Sequence, residues 1–590
     1  MKTLANKLPQ GRHRALALLM ALVLFAVQGQ AIPAQRRPFT VTNSDGTTLT
    51  LVLCGDEHFH FYATTDGIPA VQEENGDWRL APELTDSITA TWTAKSQRRN
   101  AHRMQRAAKT KARRVFGQPN SFVGDKRGIV ILVNFYNKSM KTSSTKLKFR
   151  NIFNMTGYSN DNHYGSVKDY FRDQSYGKLN ITFDVFGPVT TTRNMEYYGA
   201  NDSNGNDKRV ATLATEACQL ADAAYDINWA DYDWDGDGEV DQVYIIYAGY
   251  SEAAGASSST IWPHEWALSE GKWSGDGKGA IQLGGVTIDT YAMSSELRGT
   301  SGSNIDGIGT ACHEFSHCLG LPDFYDTSYA GGFGMDSWDV MDAGCYNGAS
   351  YSGECPSGFT AYERWFSGWL NFTELDRPAT VIGMPSLQDE PVAYIIYNDG
   401  NRDEYFIMEN RQPTGWFRYV EGDTQCHGML VCHVDYDETA WMEDAPNNTA
   451  NHQRMSIIPA SGVYGTFSKS YQRYIVTAAE HRSQLFGSNA NTDELTNTSH
   501  TNCGGKLFNL NTDNTYNMNK PITNIVEADG LISFDFMGGG SPINAITAPL
   551  SPTLDADTQY YNLQGMPVTP TTSGIYLRRR GGKTEKVFIR

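Results

Sequence analysis

The apolar positions of this 590-residue chain fall into several distinct rhythms. Near the N-terminus, Lys2, Lys7, Arg12 and Arg14 precede an unbroken apolar run over 15–27 that leads into Gly29-Gln30-Ala31, small residues at both positions a signal peptidase reads. Such a run is too short for a stable membrane span, so residues 1–31 are expected to be a secretory signal. Apolar and alternating stretches at 47–53 and 59–63, separated by Gly-containing turns, predict a small β-rich segment within 32–118. The unbroken apolar stretch 243–247 predicts a buried strand inside a larger α+β domain over 119–370. From 371 to 537 the pattern shortens to strands such as 392–397, 404–408, 429–433 and 531–536 between Asn/Gly turns, which predicts a β-sandwich-like domain. Gly538-Gly539-Gly540 and the Pro-containing stretch 541–552 predict a linker, with three strand-like pieces at 560–565, 574–577 and 586–590 beyond it.

One segment departs from these rhythms because its polar residues recur at helical spacing: His313-Glu314-Phe315-Ser316-His317, continuing Cys318-Leu319-Gly320-Leu321-Pro322-Asp323. Residues four apart share a helix face, so His313 and His317 can present ring nitrogens to one metal ion, with Glu314 beside them to orient a water. Gly320 can adopt the positive φ that ends a helix, and the short path to Asp323 returns a carboxylate to the same ion. Three protein ligands with a fourth position open is the arrangement of a catalytic zinc site. Glu354 and Glu363 are alternative third ligands. Met341, in Ser337-Trp338-Asp339-Val340-Met341-Asp342-Ala343-Gly344, is placed to form an apolar floor beneath the metal.

Composition sharpens this picture. An apolar fraction of 40% with 12% aromatic and 19% charged residues describes a folded chain. The net charge of −17 is unevenly spread: residues 115–577 hold 27 basic against 56 acidic side chains, whereas 95–114 holds nine basic residues and no acid. So acidic a body excludes nucleic acid as a partner. The run Asp231-Tyr232-Asp233-Trp234-Asp235-Gly236-Asp237-Gly238-Glu239-Val240-Asp241 alternates oxygen ligands with Gly in the manner of a calcium loop, with Asp233, Asp235, Asp237, the Glu239 carbonyl and Asp241 as preferred ligands. It lacks the Glu of a full EF-hand. No Lys or Arg lies between Arg298 and Arg364, although nine acids do, a field that suits dications and a basic prosegment lying across it. Residues 95–114 therefore read as a cleavable linker that contributes to latency, with Cys54 a candidate thiolate for the zinc. Of the nine cysteines, Cys345 with Cys355 and Cys426 with Cys432 are sequence-close candidate pairs.

The stretches 313–326 and 338–344, the upstream Gly165-Ser166-Val167-Lys168-Asp169-Tyr170-Phe171 with Ser175-Tyr176-Gly177, and 233–249 together resemble the immune inhibitor A family of secreted bacterial metallopeptidases, in the metzincin clan. The resemblance implies a twisted sheet with a zinc-binding helix, zinc on His313, His317 and Asp323, Glu314 as general base and Met341 as the Met-turn. Two departures stand out: Asp323 occupies a place that is His in many metzincins, and Ala343 a place that is Tyr in some, with Tyr346 nearby as an oxyanion candidate. The C-terminal strands resemble the sorting domains that direct Bacteroidetes proteins through outer-membrane secretion machinery. Together these imply an exported or surface-located zinc endopeptidase acting on proteins or peptides, with its own prosegment as intramolecular inhibitor and calcium as a structural ion. The alternative is a calcium-stabilised adhesin or glycan-binding protein on an inactive protease fold, which has no need of Glu314.

Overall fold

A computed structural model describes residues 32–91, 122–544 and the terminal strands between 559 and 589, with breaks at 36, 57–58, 74, 89, 203–204, 330, 450, 469–472, 488–491 and 500–504. The expected signal, the basic stretch 95–114 and residues 545–552 of the expected linker lie outside the described residues. The N-terminal segment is an antiparallel meander of five strands, β1 (Phe39–Thr42), β2 (Thr48–Asp56), β3 (Phe59–Thr64), β4 (Pro69–Gln72) and β5 (Trp78–Leu80).

The next region is built on β6 (Gly124–Asn134), β7 (Leu179–Thr190), β8 (Val243–Tyr250), β9 (His264–Ala267) and β10 (Thr290–Leu297), in the order β7-β6-β8-β10-β9. The first four of that order run parallel, and β9 pairs antiparallel at the edge. Helices α1 (Lys146–Asn154), α2 (Val167–Gln174), α3 (Val210–Ala224) and α4 (Gly309–His317) cover the two faces. Side chains on successive strand residues point to opposite faces, and the cores divide accordingly. Ile129, Ile131, Val243 and Ile245 pack with Leu213 and Ala217 of α3, whereas Val130, Leu132, Tyr244 and Ile246 pack with Phe153, Phe171 and Phe315 of α1, α2 and α4. The stretch 243–247 is thus a central strand buried on both faces, which explains its unbroken apolar run.

After α4 the chain passes through irregular turns to α5 (Ala361–Phe366), which opens on a capping box: Thr360 accepts from the Glu363 N–H, and the Glu363 carboxylate accepts from the Thr360 N–H. Then come β11 (Ala379–Met384), β12 (Tyr394–Tyr397), β13 (Glu404–Arg411), β14 (Gly428–Asp435), β15 (Met455–Ile457), β16 (Ile522–Ala528), β17 (Leu531–Phe536) and β18 (Ser541–Asn544). They form one sheet in which Thr373–Glu374 and β12 to β15 lie side by side, and a second in the order β16-β17-β11-β18. Tyr394, Ile396, Phe406, Met408 and Val431 face Val381, Phe534 and Phe536 of the second sheet. Their neighbours Ile395, Ile407, Leu430, Cys432 and Val434 face the other way and join the core that holds α4. All eight residues of β13 are buried as a result.

One expectation is corrected here. Residues 541–544, read as linker, pair in parallel with 379–382 as β18, so the sandwich extends to at least Asn544. At the C-terminus β19 (Gln559–Tyr561), β20 (Gly574–Arg580) and β21 (Lys583–Ile589) make a small antiparallel sheet.

Candidate active site

Helix α4 begins hard against the turn 343–346: a Cβ on Gly309 would lie 1.7 Å from the Cys345 carbonyl oxygen, so only glycine lets the helix approach. One turn apart on α4, the His313 and His317 rings stand with centroids 4.9 Å apart. Each ring is held from behind. His313 Nδ1 donates to Val340 O at 2.7 Å, and His317 Nδ1 donates to Leu321 O at 2.8 Å. A carbonyl only accepts, so Nδ1 carries a proton in each ring, and in the neutral ring Nε2 carries the lone pair. Both Nε2 atoms face Asp323, whose Oδ1 lies 3.1 Å from His313 Nε2 and 3.7 Å from His317 Nε2. All three side chains are buried, and burial holds the His313 pKa down to about 4, so that ring is neutral at physiological pH. His313 Nε2 has no hydrogen bond among the described residues. Two imidazole nitrogens converging on a carboxylate oxygen at a buried site form a donor set that fits a cation.

Glu314 is wholly buried, and its carboxylate lies with the two imidazoles in a group whose ligand atoms are within 4.8 Å of one another. Its carbonyl accepts from Gln242 Nε2 at 3.0 Å, which ties α4 to the start of β8. Gly320 has φ +90°, the left-handed turn expected after the helix. The return to Asp323 is held at three points: Asp323 N–H donates to Asp444 Oδ1, Phe324 N–H donates to Met341 O at 2.8 Å, and Asn447 Nδ2 donates to Phe324 O at 2.8 Å. Met341 is fully buried, and its own N–H donates to Asp339 Oδ1 at 2.8 Å. The tripeptide 339–341 therefore holds His313 through Val340 O and the Asp323 segment through Met341 O. Neither alternative third ligand reaches the imidazoles: Glu354 pairs with Arg298 at 2.7 Å, and Glu363 serves the α5 cap.

Residues 132–370, which include every one of these side chains except Asp444 and Asn447, match the model of the immune inhibitor A peptidase M6 catalytic domain. That stretch is thus similar to a peptidase M6 catalytic domain. Immune inhibitor A of Bacillus thuringiensis subsp. alesti is 29% identical over 239 residues, which cover 36% of this chain and 34% of that protein. The pre-pro-metalloprotease PrtV of Vibrio cholerae serotype O1 (strain M66-2) is 27% identical over 258 residues, 38% of this chain and 27% of that protein. The chain thus spans about a third of the length of these curated relatives. The metallopeptidase family agrees with a donor set that fits a metal ion.

The meander over 39–80 is docked on the peptidase M6 domain through the strap that precedes it. Ile32 and Ala34 are buried in the main core. Trp262 Nε1 donates to Ile32 O at 3.0 Å, Gln35 N–H donates to Ala253 O at 2.9 Å, and the Tyr346 hydroxyl donates to Pro33 O at 2.6 Å. His60 Nε2 stands 3.0 Å from a buried Glu252 carboxylate oxygen. Cys54 faces the opposite way from Leu53: Leu53 joins the main core, whereas Cys54 packs with Val52, Ala63 and Phe61 inside the meander. The structure thus does not bring the Cys54 thiol into the group around His313 and His317.

In the acidic loop, Asp233, Asp235 and Asp237 bring carboxylate oxygens within 4.8 Å of one another. Asp233 accepts from the Gly236 and Gly238 N–H groups at 2.8 Å each, with both glycines at positive φ. Asp241 accepts from Trp234 N–H at 2.6 Å, and Glu239 N–H donates to Asp237 Oδ1 at 2.9 Å; neither Glu239 nor Asp241 joins the carboxylate group. The expected disulfides are absent: Cys345, Cys355, Cys426 and Cys432 are all free and buried. Closeness in sequence did not align these thiols, because Cys355 Sγ turns to Gly415 O at 3.6 Å, Cys426 Sγ turns to Asp423 at 3.6 Å and Cys432 points into the core from β14. His433 and Asp435 play structural parts: His433 Nε2 contacts Glu404 at 2.9 Å and stacks on Phe508, and Asp435 binds Arg454 at 2.8 Å. Among the described residues no helix is long and apolar enough to cross a membrane.

Sequence reasoning missed Asp339, Asp444, Asn447, Trp262 and the strap 32–35 as parts of the site. Only the strap carried a local signal, its place directly after the expected signal peptide.

Proposed function

We propose that this chain is a zinc-dependent endopeptidase of the metzincin kind, exported as a precursor, that hydrolyses peptide bonds of extracellular proteins. The observation that carries the reading is the convergence of the two Nε2 atoms and the Asp323 carboxylate beside Glu314. His313, His317 and Asp323 hold the zinc, and Met341 forms the floor beneath. When bound, zinc supplies Lewis acidity to the scissile carbonyl and to water. Glu314 takes the proton from the attacking water and returns it to the leaving amine. Tyr346 is the candidate donor to the developing oxyanion, and its hydroxyl donates to the Pro33 carbonyl. Asp233, Asp235 and Asp237, with the Glu239 carbonyl and Asp241 completing the loop, hold a structural calcium ion. A leader over 1–31 and a sorting module at the C-terminus account for export through outer-membrane machinery.

Casein hydrolysis by the secreted protein is expected to stop on chelation and to return with zinc, whereas calcium restores thermal stability without restoring hydrolysis. No zinc-dependent hydrolysis would favour the adhesin reading. The buried strap and its hydrogen bond to Tyr346 support the prosegment as intramolecular inhibitor. Precursor trimmed after the basic linker is expected to cleave casein at least tenfold faster than intact precursor, and equal rates refute latency.

A further inference from the structure

Beside Met341 stands Asp339, and with it Glu363, which does not reach the imidazoles as a ligand. Asp339 and Glu363 are both fully buried. Two of their four carboxyl oxygens are satisfied by the backbone. Asp339 Oδ1 accepts the Met341 N–H at 2.8 Å, and Glu363 Oε2 accepts the Thr360 N–H at 2.6 Å. The remaining atoms, Asp339 Oδ2 and Glu363 Oε1, are buried and lack any other partner among the described residues. The two carboxyls are within hydrogen-bond reach of each other, and with no other donor to either orphan oxygen among the described residues, burial and mutual repulsion oppose ionisation of both. A single proton between them satisfies both.

We propose that Glu363 is a positioning residue of the zinc site: as a neutral acid it donates from Oε1 to Asp339 Oδ2, and so clamps the tripeptide 339–341 to α5. The clamp matters because that tripeptide fixes two predicted zinc ligands, His313 through Val340 O and Asp323 through the Phe324 N–H on Met341 O. Burial pushes both carboxyls above their usual range, Glu363 further because the Asp339 charge adds to it. The other groups facing the pair are Glu409 and Arg411 of β13, Cys432 of β14, Tyr170 of α2, and Tyr362 and Arg364 of α5. The Arg411 charge acts against the rise at Asp339 but does not overcome burial, and its Nε bonds Glu409 at 2.5 Å. Glu409 Oε2 in turn accepts the Ala361 N–H at 2.6 Å, so the clamp continues into β13.

The inference rests on the zinc-peptidase reading, and its test separates the two. Zinc retention by the full chain is measured against a competing chelator across pH, together with hydrolysis of casein. Burial and the Asp339 charge raise the Glu363 pKa in the folded chain, so the clamp is present below that pKa and is lost as pH rises through it. Glu363→Gln offers an amide N–H in place of the acid O–H and has no proton to lose. It is expected to hold zinc within about twofold of wild type at pH 7 and to keep it about one pH unit further into the alkaline range. Glu363→Ala is expected to weaken zinc retention roughly 10- to 100-fold, as loss of an outer-shell partner does. An alkaline limb in Glu363→Gln that coincides with wild type, or Glu363→Ala within twofold of wild type, overturns the clamp while leaving the peptidase reading standing. Wild-type protein that neither retains zinc nor hydrolyses casein overturns the reading itself.

Discussion

Replacing Glu314 by Ala is expected to leave the protein folded and zinc-loaded while reducing kcat/KM on casein or a peptide by about 10²- to 10⁴-fold, or roughly 3–5 kcal/mol of transition-state stabilisation. The side chain is fully buried beside both imidazoles, and its removal leaves the Nδ1 hydrogen bonds of both histidines intact, because those run to Val340 O and Leu321 O. Glu314→Gln makes the stricter test, since it keeps the volume and removes the basicity. Zinc content measured alongside activity separates loss of the base from loss of the metal. Full activity in either variant would sink the assignment of Glu314 as base.

Asp323→Ala is expected to abolish both zinc retention and hydrolysis. Its carboxylate is the group that the two Nε2 atoms face, and its removal leaves two neutral nitrogens, too few to hold the ion against a chelator. The loss should exceed the 10- to 100-fold typical of removing an outer-shell partner. Thermal unfolding of the metal-free variant should stay close to that of the metal-free wild type, because the backbone of 323–324 is held by Asp444, Asn447 and Met341 rather than by the carboxylate. Zinc bound at wild-type affinity would return Glu354 or Glu363 to contention as third ligand.

The candidate metal-binding side chains were legible in the sequence because they are local: a helix puts 313 and 317 on one face, and Gly320 needs only a few residues to bring Asp323 back. The β-rich character of 371–537 was legible for a similar reason, period-two patterning between turns. What holds the ligands was not legible. Asp444 reaches the Asp323 N–H from 121 positions away, and Pro33 meets Tyr346 from 313 positions away, separations at which no periodicity survives. Cys54 was not legible because a strand's two faces are set by its register, and only the packed structure shows that Leu53 joins the core around α4 while Cys54 packs with Val52 and Ala63. The cysteine pairs misled because proximity along the chain says nothing about the direction of a Cβ.

The sheet of β12 to β15 lends one surface to the sandwich and the other to the core around α4, so the family-matched stretch 132–370 is shorter than the piece of chain that can hold its own shape. Severing it at 370 would expose the residues that pack against Ile395, Ile407, Leu430 and Val434 and would delete the carboxylate that anchors Asp323. The unit that is inherited by sequence and the unit that folds are therefore different, and any transfer of this chemistry to another scaffold has to carry the sandwich with it.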